Sequence, residues 1–363
     1  MVFLRGLSLS IKFQSFRNLS TKCHLPNNYS VIKEVQKKVD PFSSIRISSN
    51  IPVHIEPYDY IECPDSNSFR ARLHGCNFEK QKKAQMLVEI DGKNIKVVNK
   101  FKGDGESPIC ILEVPVKSDL KVESENSVNI SEMYSDYIKV EADKDIQTLN
   151  LRSSTVDLGS VSGKINCLGL MLAQRIDVHS ENGDIILDKL QGDLMHCKTF
   201  EGNISVNSCY VEKSHFVTET GNLNLKNLHK KSEIYVLKEG NIEISGIHGN
   251  IYLKSNGGDL NLQFSEIVGD NIIMANDSKN VIINISDLIE EQSFVEISSD
   301  QINLSPTIAH LKDYLIENNI FRIGGEHQPS KLLVCTKGSL TVGKMSWADK
   351  MKEIFGYELK EDV

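Results

Sequence analysis

The sequence has no Cys-x-x-Cys pair, no His-Glu-x-x-His, no Gly-x-Ser-x-Gly elbow and no phosphate loop. Those absences leave no support for a zinc ribbon, a thioredoxin-type redox pair, a zincin, an α/β-hydrolase or a P-loop enzyme. Eight cysteines scattered through 363 residues are too sparse for a disulfide scaffold. They read as buried thiols acting as small hydrophobes. His196, Cys197 and Cys209 are zinc-ligand types, but their spacing fits no standard zinc pattern. No metal and no cofactor is therefore expected. No uncharged apolar run approaches the roughly 20 residues of a membrane-spanning helix, so no integral membrane segment is expected. An excess of basic charge is also missing. Lys and Arg number 41 against 49 Asp and Glu, a formal net charge of −8, and nucleic acid is not an expected partner. What remains is ordinary for a soluble folded chain, with 40% hydrophobic and 25% charged residues.

Acid is absent from the start of the chain; no Asp or Glu precedes Glu34. Arg5, Lys12, Arg17 and Lys22 are spread among serines, and Phe3, Leu4, Leu7 and Ile11 fall on one helical stripe. This is the pattern of a mitochondrial transit peptide, with Arg17-Asn18-Leu19-Ser20 as a cleavage motif. The expected location is mitochondrial, in the matrix.

A repeat begins near Ile146. The units Gly163-Lys164-Ile165, Gly183-Asp184-Ile185, Gly202-Asn203-Ile204, Gly221-Asn222-Leu223, Gly240-Asn241-Ile242 and Gly258-Asp259-Leu260 recur at near-constant spacing. Each is followed by apolar–polar alternation, which places Ile and Leu on one face of a short strand. Weaker half-period copies occur at Gly192-Asp193-Leu194 and Gly249-Asn250-Ile251. One such strand cannot bury its apolar face, whereas stacked copies bury a continuous core. The expected fold is all-β: a single-chain β-solenoid of about 19 residues per turn, with two main strands per turn. Glycine at each corner is read as supplying positive φ.

The expected organisation is a leader at 1–33, an irregular β lobe at 40–145 capping the coil, the solenoid at 146–300, and strands with a capping helix at 301–363. Ser305-Pro306 opens one C-terminal helix, with Ile308, Leu311 and Leu315 on one face. Ser346 opens another, carrying Trp347, Met351, Ile354 and Phe355.

These residues carry a resemblance. The Gly-Asp/Asn-Ile units are similar to the "putative adhesin" solenoid domain of bacterial proteins. The whole chain resembles the animal family named family with sequence similarity 185. That likeness rests on Asp40-Pro41-Phe42-Ser43-Ser44-Ile45-Arg46 leading into Ile51-Pro52-Val53-His54-Ile55-Glu56-Pro57, on the repeat, and on Lys337-Gly338-Ser339-Leu340-Thr341-Val342 with Ser346-Trp347. It implies no activity, catalytic residue or cofactor, because that family has none assigned.

The functional expectation is a non-enzymatic binding or scaffold protein that presents a rigid repeat surface to a protein partner. Glu181, Glu201, Glu219 and Glu239 precede the corner glycines and are read as an acidic row. Trp347 is read as a docking anchor. The alternatives are a solenoid-type carbohydrate-active enzyme, for which Asp184, Glu201 and Asp259 are the available carboxylates, and an exported adhesin-like protein.

Overall fold

The computed structural model describes residues 29–59, 61, 63–76, 84–103, 106–278, 280–316 and 319–344. The second C-terminal helix and Trp347 lie outside these residues, as does the transit-peptide motif. The described chain is a coil of parallel β-rungs. In the regular part each turn is one long bent strand: Ile165–Asn182, Ile185–Glu201, Ile204–Thr220, Leu223–Glu239 and Ile242–Ser255. Each pairs in parallel register with the next, for example Ile185 with Ile204 and Leu223 with Ile242. The expected two strands per turn are thus one strand with two internal bends. The half-period signal at Gly192 and Gly249 marks the second bend.

Alternation decides which side chains enter the core. In one rung Ile185, Leu187, Leu190, Met195, Cys197 and Thr199 are buried. In a later one Ile242, Ile244, Ile247, Ile251, Leu253 and Ser255 take the equivalent places. Each buried aliphatic side chain contributes about 1.5–3 kcal/mol, and the rungs share one continuous core.

The corner glycines serve a purpose other than the expected one. Among the six, only Gly221 (φ +148°) and Gly258 (φ +85°) have positive φ. What they share is proximity. A Cβ on Gly183 would lie 2.2 Å from the carbonyl oxygen of Gly163. The corresponding distances are 2.3 Å for Gly202 on Gly183, 2.0 Å for Gly221 on Gly202, 1.9 Å for Gly240 on Gly221 and 2.1 Å for Gly258 on Gly240. Gly163, the first, meets Lys144 backbone at 2.1 Å. The corner stacks backbone on backbone and leaves no room for a side chain.

The residue after each glycine completes the corner. The Asn203 N–H donates to Asp184 Oδ1 at 2.8 Å, Asn222 N–H to Asn203 Oδ1 at 2.8 Å, and Asn241 N–H to Asn222 Oδ1 at 2.9 Å. The Asp259 N–H donates to Asn241 Oδ1 at 2.9 Å, and Asn280 N–H to Asp259 Oδ1 at 3.2 Å. Just inside, the Thr199 and Thr218 hydroxyls each donate to the glycine carbonyl of the preceding corner at 3.3 Å. These bonds satisfy backbone groups of the turn that would otherwise be left unpaired.

The stack extends beyond 146–300. Residues 40–145 cap the coil and also contribute rungs to it. Ser44–Ser49 and Val53–Pro57 pair in parallel with Asp119–Ser124 and Val128–Ser131, and Tyr137–Ala142 continues into Ile146–Ser160. The intervening chain covers the first rung. Asn94–Phe101 pairs with Ser44–Ser49 and carries the antiparallel Ala84–Asp91, while Ser68–Gly75 and Ser30–Lys38 close the other side. At the far end Lys331–Thr336 slots between Asp270–Ala275 and Phe294–Ser298. The helix expected after Ser305 is a 3-10 segment, Pro306–Tyr314, kinked at Ile308. Ile308 and Leu311 are buried as expected, but Leu315 has passed into a strand. A short helix absent from the sequence reading, Asp287–Gln292, is capped by the Ser286 hydroxyl.

Gly202→Ala should therefore destabilise the fold by about 1–3 kcal/mol, although alanine is normally the easier residue to order. Ile204→Asp should cost several kcal/mol, since it buries an unpaired charge. Ser205→Ala, on the outward parity, should leave the urea midpoint unchanged. Equal tolerance of all three would contradict the register.

Candidate functional site

Because the rungs are in register, outward residues form columns along the coil. One broad face is built from the second half of each rung. Its central column runs Asp177, His196, His215, Glu233, Tyr252, and the next runs His179, Lys198, Val217, Tyr235, Lys254. Their rings form a contiguous strip. His196 meets His215 edge-on at 5.7 Å between centroids, His215 meets Tyr235 at 5.2 Å, and Tyr235 meets Tyr252 at 5.8 Å. Phe200 and Leu237 lie exposed toward the glycine corner, and the Lys198 ammonium sits 4.4 Å from the Phe200 ring centre. Charges surround this centre. Asp177 accepts from Arg175 Nε at 2.5 Å and lies 3.2 Å from His196 Nδ1; Lys231 pairs with Glu233 at 3.1 Å.

A second column lies round the bend. It runs Tyr134, Arg152, Leu172, Gln191, Tyr210, and then His229, His248, Glu266. Here the rings stack flat: Tyr210 on His229 at 4.0 Å and 16°, His229 on His248 at 4.8 Å and 6°. A parallel sheet places such rings one rung apart, which is close to stacking distance.

The four glutamates do not make one row. Asn182, Glu201, Thr220 and Glu239 share a column, so Glu201 and Glu239 stand two rungs apart. Glu181 follows Ser180 and Glu219 follows Thr218, and these two belong to the neighbouring column with Phe200 between them. The step from Glu201 to Glu219 is shorter than the steps on either side of it, which shifts alternate members by one position. Glu219 is further engaged by Lys238 Nζ at 2.8 Å. The carboxylates weighed for catalysis are likewise separated. Asp184 and Asp259 hold the corner ladder, each accepting from the backbone and side-chain amide of the next rung.

Period-2 alternation also separates the candidate metal ligands. His196 points outward, whereas Cys197 and Cys209 are buried in the core. Among the described residues no group of three His, Cys, Asp or Glu could hold a metal. Burial pushes the Cys167 thiol up to about 12 and Cys209 up to about 11, so these thiols stay protonated. Cys63, Cys110, Cys167, Cys197, Cys209 and Cys335 are free thiols. The ring columns had no sequence motif to mark them. Only the positions of both bends reveal that His215 neighbours Tyr235, or that Tyr210 neighbours His229.

Burial lowers the pKa of His215 and of His229, and a neighbouring imidazole adds to the effect in each case. His196 and His248 are those neighbours; Glu233 opposes the shift at His215 and Lys230 reinforces it at His229. His74 is lowered by burial and by Arg72. A folded-state pKa below the unfolded value of about 6.5 means that the unfolded chain binds more protons, so stability falls as pH drops below about 6.5. The urea midpoint should be lower at pH 5.2 than at pH 7.5, and the difference should shrink in His215→Gln/His229→Gln. An unchanged difference in that variant would place the effect elsewhere.

Residues 173–287 match the family model described as Toastrack DUF4097. The chain is also similar to three solved bacterial structures. A "putative adhesin" from Parabacteroides distasonis is 9% identical, with 85% of this chain and 96% of that one covered and a TM-score of 0.36. A "putative adhesin" from Bacteroides fragilis is 11% identical, covering 88% and 98%, with a TM-score of 0.31. A "putative cell adhesion protein" from Clostridium sporogenes is 9% identical, covering 86% and 99%, with a TM-score of 0.21. These bacterial matches, described as adhesins or cell-adhesion proteins, overturn the mitochondrial location expected from the leader. The Gly-polar-aliphatic array at 146–300 is an all-β solenoid, of Toastrack type over the matched residues.

Proposed function

We propose that the chain is a non-enzymatic binding protein whose broad aromatic face docks a protein partner. One observation carries this reading. Four successive rungs place His196, His215, Tyr235, Tyr252, Phe200 and Leu237 together on one face of a parallel sheet, with charged residues around them. An aromatic centre inside a polar rim is the composition of a protein interface. The side chains stand on paired strands rather than on loops, which limits the ordering entropy that opposes association. Glu181, Glu201, Glu219 and Glu239 lie along the glycine-corner edge of this face and belong to its rim. Exposed charges of that kind contribute about 0–1 kcal/mol each, so no single one dominates. The dispersal of Asp184, Glu201 and Asp259 supports binding over catalysis, which needs converging groups. The likeness to the animal family with sequence similarity 185 is part of the same proposal and stands on the flanking motifs.

In-cell cross-linking with quantitative mass spectrometry tests the face. Phe200→Ala/Tyr235→Ala should reduce the recovered cross-links by roughly tenfold, the scale of removing two interface anchors. Ser205→Ala/Asn224→Ala, on a different face, should leave them unchanged. Retention of the same cross-links by the first variant, with an unchanged melting curve, would defeat the assignment.

A further inference from the structure

A groove of about 400 Å³ crosses the coil at the second bend, starting on rungs before the aromatic face and ending on the rung Ile185–Glu201 that they share. Its floor is the column Ser135, Ser153, Ala173, Gly192. The same column continues as Val211, which is buried in the core and does not line the groove. The floor is small because nothing larger fits at Gly192, where a Cβ would lie 1.8 Å from the Ala173 carbonyl oxygen. One wall is Tyr134, Arg152 and Leu172. The other is Asp136, Ser154, Gln174 and Asp193, and Phe42 with Lys117 closes the N-terminal end.

The two walls differ in chemistry. The first offers a phenol ring, with Tyr134 57% exposed, and an aliphatic side chain. The second offers a row of hydrogen-bonding groups, one per rung, at ~4.8 Å spacing. In the floor Ser135 is 6% exposed, and its hydroxyl is buried with no hydrogen-bond partner. Charges balance: Lys117 and Arg152 face Asp136 and Asp193. A polyanion therefore gains nothing here over a neutral ligand. The backbone offers no edge to an extended peptide. Ser135 N–H donates to Arg152 O at 3.0 Å and Thr155 N–H to Asp136 O at 3.1 Å, both along the coil axis. Strand addition requires such groups to be free.

We propose that this groove binds a linear neutral oligosaccharide. The sugar rings lie along the coil axis. Their C–H faces rest on Tyr134 and Leu172, and their hydroxyls pair with Asp136, Ser154, Gln174 and Asp193. The assignment concerns different residues from the protein-docking face, with which the groove shares the rung Ile185–Glu201, and does not depend on it.

The full chain is titrated by calorimetry with cello-, xylo-, chito- and maltohexaose, each to millimolar concentration, and with a neutral Gly-Ser hexapeptide as the non-sugar probe. At least one hexasaccharide should bind. Tyr134→Ala and Gln174→Ala should each weaken that binding by tenfold or more, with melting curves unchanged because both side chains are exposed. Tyr252→Ala, on the aromatic face, should not alter it. Absence of binding by all four sugars would overturn the proposal. So would sugar binding indifferent to Tyr134 and Gln174, or binding of the hexapeptide with the same residue dependence. Since Phe200 and Tyr235 are intact in both groove variants, failure here is separable from failure of the docking face.

Discussion

Backbone packs on backbone at the glycine corner with no room for a side chain, and the register of the regular coil follows from it. Rungs of a parallel coil stack ~4.8 Å apart. At Gly183, Gly202, Gly221, Gly240 and Gly258 the corner backbone of one rung rests on the glycine carbonyl of the rung before. A single Cβ at this column would push two rungs apart locally. The neighbouring Asp and Asn side chains then tie each corner to the next, so a one-residue slip would break the ladder and turn the core side chains outward. Register is held by sterics and hydrogen bonds at the corner, and burial of Ile and Leu follows from it.

With register fixed, surface chemistry becomes one-dimensional. A residue type repeated at equivalent positions is displayed as a column, and small residues repeated at a bend become a groove. The ring strip from His196 to Tyr252 and the groove floor from Ser135 to Gly192 are two products of the same rule. This accounts for a surface rich in imidazole and phenol on a chain with no sequence motif for catalysis.

The repeat was legible because glycine tolerates no substitute at the corner and because alternation marks burial. Ile204, Leu223 and Ile242 are buried in register as the spacing implied. The reason for the glycines was not legible: crowding by the backbone of the preceding rung leaves no local trace. The N-terminal rungs were hidden for a related reason. Ser44–Ser49 stacks beside Asp119–Ser124, and the intervening chain builds the cap, so no fixed period connects them. The acidic row failed because a long and a short step average to the repeat length while placing alternate residues in different columns. The ring columns and the groove escaped because both bends must be located before outward neighbours can be paired.

The most direct measurement is of distances between spin labels along one outward column in solution. Cysteines introduced at Leu172 and His248 are four rungs apart, and those at Tyr134 and His248 are six. With the exposed Cys335 replaced by serine, label separations should centre near ~19 Å and ~29 Å, as a rise of ~4.8 Å per rung requires. Separations that do not increase with rung number, or that double because the turns are hairpins, would contradict a coil held in register by its glycine corner.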